Sequence, residues 1–167
     1  MSNLKNINLQ VSSFAMECVR NVKLEEEKEE ETKKKAKINN EKDSNGISAS
    51  KYKTLVKKMS TLIQKNGFIG TLVFNLSKVN NKEHYEVLKN IINWNIANFK
   101  IKDIKEFEKK NIRFDGNNSI KEMEVITKYI EWITSLEQNE YRLVSKEMMN
   151  LFGWIKRFAD GIIEGKE

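Results

Sequence analysis

Proline is missing from all 167 residues and the seven glycines are scattered, so the two strongest helix breakers are nearly absent from the chain interior. An all-α fold is therefore expected. The single Cys18 cannot form an internal disulfide, and with one histidine, His84, the chain lacks the ligands of a zinc or iron site. No metal and no other cofactor is expected. No apolar run spans a bilayer or resembles a secretory signal, which leaves the cytoplasm as the expected location. Arginine is scarce as well, with only Arg20, Arg113, Arg142 and Arg157.

What the chain has in quantity is charge. Charged residues make up 32% and hydrophobic residues 39%, enough apolar matter for a modest core under a very charged surface. The length suits one domain, residues 1–167, without a stapling disulfide or metal. Thirty Lys and Arg against 24 Asp and Glu give a net charge of +6, and a pI near 9.2, which favours a polyanionic partner. A coding bias towards Lys, Asn and Ile would produce such an excess whatever the function.

Apolar periodicity predicts about six helices and no strand. Val11, Phe14, Ala15, Cys18, Val19 and Val22 form the buried stripe of a first helix. From Glu25 to Lys37 that stripe stops, and an acidic block precedes a basic one, with Glu29–Lys33, Glu30–Lys34 and Glu31–Lys35 in the favourable i, i+4 order. A solvated projection with nothing to pack against is expected there, either helical or disordered, within a charged insertion or mobile linker over residues 25–48. Further helices are expected over about 50–65, ended by Asn66-Gly67, and then over 68–79, 84–99, 119–135 and 139–163. Ser119 and Glu122 have the spacing of a capping box, and Lys100 to Asn118 is less periodic, with Gly116-Asn117-Asn118 marking a loop.

Little in the sequence points to catalysis. Carboxylates sit in charge runs or singly on polar faces, and His84 beside Glu83 at a helix start reads better as a surface or capping residue than as a general base. Gly67-Phe68-Ile69-Gly70 opens a helix and could receive a phosphate on its N–H groups, but it lacks the lysine and hydroxyl order of a nucleotide loop and reads better as a tight interhelical turn. Trp94, Trp132 and Trp154 lie in apolar helical stretches and are expected in the core or an interface. More informative are Lys53, Lys57 and Lys58, with Lys65 two turns on, and Arg142, Lys146, Lys156 and Arg157, all turned away from apolar stripes. They could track a phosphate backbone, or serve as ordinary solvating charge.

Tyr52-Lys53-Thr54-Leu55-Val56-Lys57-Lys58-Met59, then Leu62 to Gly67 and Thr71 to Phe74, resembles the central segment of the small subunit of Cmr complexes, the type III-B CRISPR RNA-guided effectors. Glu140-Tyr141-Arg142 with the run from Leu151 to Gly161 is similar to that family's closing helix. Glu131-Trp132-Ile133 and Phe14 to Val19 sit where the family carries comparable motifs. The chain departs from it at Ser60, where the family often has proline, at Ile69-Gly70, and in the longer charged stretch from Glu25 to Ile47.

The resemblance implies an all-helical, non-catalytic subunit that stacks in several copies within an antiviral complex, with catalysis left to partner subunits. Its partners would be the other Cmr subunits, copies of itself, and the guide and target RNA, with no membrane and no small-molecule substrate. Lys53, Lys57, Lys65, Arg142, Lys156 and Arg157 are the matched basic positions expected to contact RNA phosphates. Two other readings stay open: a helical protein-interaction module without RNA contact, and an enzyme built on His84.

Overall fold

The computed structural model of the chain describes residues 2–36, 46–99 and 120–165. Within them lie five helices and no strand: α1 (Ser2–Ala36), α2 (Ala49–Ser77), α3 (Lys82–Asn98), α4 (Ile120–Ser135) and α5 (Gln138–Ile162). None is long and apolar enough to cross a membrane. Each element follows its apolar period. Val11, Ala15, Cys18, Val19 and Val22 of α1 are buried, and α5 buries Val144, Met148, Leu151, Phe152, Ile155 and Ala159 at helical spacing. Helix α5 packs on both α1 and α2, and α3 packs on α2.

Helix α2 is folded back on itself. Gly67 adopts φ 74° and ψ 168°, a conformation that L side chains rarely tolerate. The amide nitrogen of Asn75 lies 3.6 Å from the sulfur of Met59, whereas a straight helix would hold two residues so far apart in sequence about 24 Å from one another. The reversal leaves two arms, 49–66 and 68–77, so the described residues contain six helical segments, with Asn66-Gly67 as the predicted stop. The first N–H groups of the second arm, on Phe68 and Ile69, donate to the Tyr141 hydroxyl oxygen at 3.0 and 3.1 Å. One side chain of α5 thereby satisfies two of the donors that a helix start leaves without a partner.

Polar pins fix how the helices sit, and α3 carries most of them. Asn90 donates to the Tyr52 hydroxyl of α2 at 2.7 Å, Asn95 to the Tyr129 hydroxyl of α4 at 3.0 Å, and Trp94 to Glu147 of α5 at 2.9 Å. Asn90 and Asn95 are buried, where an unmade hydrogen bond is costly, so each pin selects one register of its helix pair. Phe14 of α1 meets the Trp94 ring at 5.1 Å between centroids, and Trp132 of α4 meets Phe99 at 5.8 Å.

The charged stretch corrects one expectation. It is helical as far as Ala36, but it is not without contacts. The Glu26 carboxylate accepts the Ala49 N–H at 3.1 Å, and Glu29 pairs with Lys82 at 2.9 Å. Glu83 accepts the Ser48 N–H at 2.9 Å. The start of α2 offers free N–H groups and the positive end of a helix dipole, which attract carboxylates that periodicity alone assigns to solvent. Residues 37–45 of the predicted linker, the loop at 100–118 and the Ser119 cap lie outside the described residues. Helix α5 opens on a capping box made by Glu137 and Glu140.

Two glycines separate backbone need from tolerance. Gly67→Ala places a Cβ at positive φ and is expected to destabilise the protein by about 1–2 kcal/mol. Gly153→Ala puts a methyl into open space within α5 and is expected to stabilise by about 0.5–1 kcal/mol. Urea unfolding of both variants measures the two signs.

Candidate functional site

Helices α2 and α5 run antiparallel, and they carry the basic side chains that the sequence singles out. Along it Lys53 faces Ile163, Ser60 donates to the Met149 carbonyl at 3.4 Å, and Phe68 meets Tyr141. Lys53, Lys57, Lys156 and Arg157 therefore lie towards one end of the seam, and Lys65 and Arg142 towards the other. From Lys57 to Lys65 the helix rises about 12 Å, and from Arg142 to Lys156 about 21 Å. Lys57, Lys65, Arg142, Lys156 and Arg157 are all exposed, because the apolar stripes of both helices take the opposite sides.

Lys53 is the exception. Its side chain is only 16% exposed, and its ammonium donates to the Ile163 carbonyl at 2.9 Å. Lys23 of α1 reaches the neighbouring Ile162 carbonyl at 3.4 Å. Two lysines from two helices thus cap the negative C-terminal end of α5, where a cation is favoured. Lys53 also lies 3.8 Å from Asp160, and Lys57 pairs with the same carboxylate oxygen at 3.0 Å. The hydrogen bond from Lys57 holds the Asp160 carboxyl below its ordinary range; burial opposes it, and the charges of Lys57, Lys53 and Lys156 add to it.

The guanidinium of Arg157 lies 5.0 Å from the centre of the Trp154 ring, and Trp154 stacks on Phe158 at 6.2 Å. Trp94 is buried, while Trp132 and Trp154 are half-buried and packed against the core. The Gly67 turn is an interhelical turn, since the N–H groups that would cradle a phosphate already donate to Tyr141.

His84 is half-buried in the first turn of α3, with Nδ1 2.9 Å from the Asn75 amide oxygen. That oxygen can only accept, so the ring donates Nδ1–H. Burial lowers its pKa, the Lys78 ammonium lowers it further, and Glu83 opposes both. A cavity of about 230 Å³ lies beside it, lined by Lys51, Asn81, Lys82 and Glu83 among others. Among the described residues no three His, Cys, Asp or Glu side chains converge as metal ligands would.

The lysines are legible in the sequence, but the part played by Asp160 is not. Its signal was there in the i, i+4 spacing from Lys156, but the pairing with Lys57 crosses two helices and has no trace in one sequence. Nor does any local pattern mark Lys53 as a cap for the far end of another helix.

Five helices among the described residues, with exposed cations on α2 and α5, define a small, basic, all-α protein. Residues 7–162 match the model of the family described as CRISPR-associated protein (Cas_Cmr5), and the chain belongs to that family. Membership makes it a subunit of the CRISPR-associated Cmr complex, associating with the other Cmr subunits. No curated protein and no solved structure matches the chain.

The Lys57–Asp160 pair has a direct test. Stability owed to a carboxyl whose folded pKa is depressed is present above the ordinary carboxylate range and is lost as pH falls through the lowered value. Lys57→Met is expected to move the Asp160 midpoint upwards in a carbon-detected NMR titration, and an unmoved midpoint would mean that the pair does not form in solution.

Proposed function

We propose that this chain is the non-catalytic small subunit of a type III-B Cmr effector, stacking in several copies and lining the guide and target RNA duplex in antiviral defence. The observation that carries the reading is the exposure of Lys57, Lys65, Arg142, Lys156 and Arg157 on two helices that meet along one antiparallel seam, where Lys57 crosses to α5 at 3.0 Å from Asp160. Lysine ammonium groups in water attract phosphate without reading bases, which suits a protein whose specificity is delegated to base pairing between guide and target. Lys53 serves the surface indirectly by holding α2 against the end of α5.

Such contacts give weak binding that salt abolishes. With about four phosphates neutralised, the affinity of the isolated protein for an RNA duplex falls about 100-fold between roughly 50 and 200 mM salt. Gel-shift titrations across that range measure the slope, and salt-independent tight binding would contradict the proposal. In the assembled complex, Lys57→Glu with Lys156→Glu is expected to reduce RNA retention by at least about tenfold, since each reversal replaces attraction by repulsion. His84→Ala is expected to leave target cleavage by that complex unchanged.

A second reading, a helical interaction module without RNA contact, draws on the pairing of Lys57 with Asp160 inside the free protein and on exposed apolar side chains such as Leu143 and Val73. An assembled complex that keeps its RNA undiminished after the double charge reversal would favour it.

A further inference from the structure

Asp160 stands where helix energetics do not want it. It lies in the last turn of α5, which ends at Ile162, and a negative charge there opposes the helix dipole. Lys156 precedes it by four residues, the less favourable order for an ion pair on a helix. The seam does not depend on Asp160 either, because Lys53 ties α2 to α5 through the Ile163 carbonyl at 2.9 Å. What Asp160 does is present one carboxylate oxygen to two ammonium groups of the neighbouring helix α2, 3.0 Å from Lys57 and 3.8 Å from Lys53. An anionic oxygen held by two ammonium groups of the neighbouring helix occupies the position that a non-bridging phosphate oxygen would take. Lys57 and Asp160 are open to solvent, at 44% and 42% side-chain exposure, so the pair can exchange partners at little cost.

We propose that Lys57 anchors a phosphodiester-binding site at the α2–α5 seam that the Asp160 carboxylate fills in the free protein, so that an RNA phosphate binds there by displacing it. This deepens the RNA-lining reading above and rests on it for the identity of the ligand. Exchange of one anion for another gains little for a single phosphate. The site therefore disfavours free nucleotides and small anions, and favours a continuous backbone that engages Arg142, on the same side of α5, at the same time. Asp160 sets a threshold that an extended polyanion passes and a mononucleotide does not.

Asp160→Asn removes the competing charge without changing shape. Because it also raises net charge by one, Glu124→Gln, on the exposed side of α4, is its control. On phosphocellulose, Asp160→Asn is expected to elute at clearly higher salt than Glu124→Gln, and adding Lys57→Met is expected to remove the gain. With a short RNA duplex, Asp160→Asn is expected to bind about fivefold tighter near 0.15 M salt, the effect of about one more cation at the backbone. Elution of Asp160→Asn together with Glu124→Gln would overturn the proposal, whether or not the protein binds RNA. The Lys57-dependent gain on phosphocellulose, with no RNA bound by any variant or by the assembled complex, would uphold the anion site and reject RNA as its ligand.

Discussion

Helix α5 lays its apolar stripe, with Leu151, Phe152 and Ile155 fully buried, against both α1 and α2. Each such side chain contributes about 1.5–3 kcal/mol on burial, so this stripe outweighs any surface charge in fixing where α5 lies. A helix that commits one side to the core must turn the opposite side chains to solvent. Lys156, Arg157 and Arg142 are therefore outward by necessity, and the same constraint on α2 turns out Lys57 and Lys65. The basic rim follows from the packing of the core.

The reversal at Gly67 brings the second arm of α2 back along the first and delivers its helix start to Tyr141. At the opposite end of the seam, Lys23 and Lys53 close the C-terminus of α5. Both ends of α5 are thus tied to neighbouring helices by polar groups, while apolar side chains fill the length between. Helix α3 completes the register with bonds to α2, α4 and α5 from Asn90, Asn95 and Trp94. None of these bonds involves Lys65, Arg142 or Lys156, which are exposed.

Much of this was legible because it is local. The stripe from Val144 to Ala159, the stop at Asn66-Gly67 and the continuous stripe of α1 each declare themselves within a few turns of sequence. What was illegible joins distant residues. Glu26 and Glu29 look like members of a solvated charge run until α2 and α3 bring Ala49 and Lys82 to them. Glu137 is an unusual N-cap residue, so the start of α5 carried no familiar signature. Of the basic positions, Lys57, Lys65, Arg142, Lys156 and Arg157 face outward as their periodicity suggests, and Lys53 does not. That Lys53 is spent on a carbonyl and Lys57 on Asp160 depends on the pairing of two helices far apart in the chain.

On the proposed function, the Lys57–Lys156 surface at the α2–α5 seam faces nucleic acid in the assembled particle. Lysine acetylation footprinting of the intact Cmr complex tests it most directly, with Lys128 on α4 as a reference outside the seam. Protection of Lys57 and Lys156 relative to Lys128, lost after digestion of the RNA, is the predicted result. Full reactivity in the intact complex, or protection that survives digestion of the RNA, would contradict it.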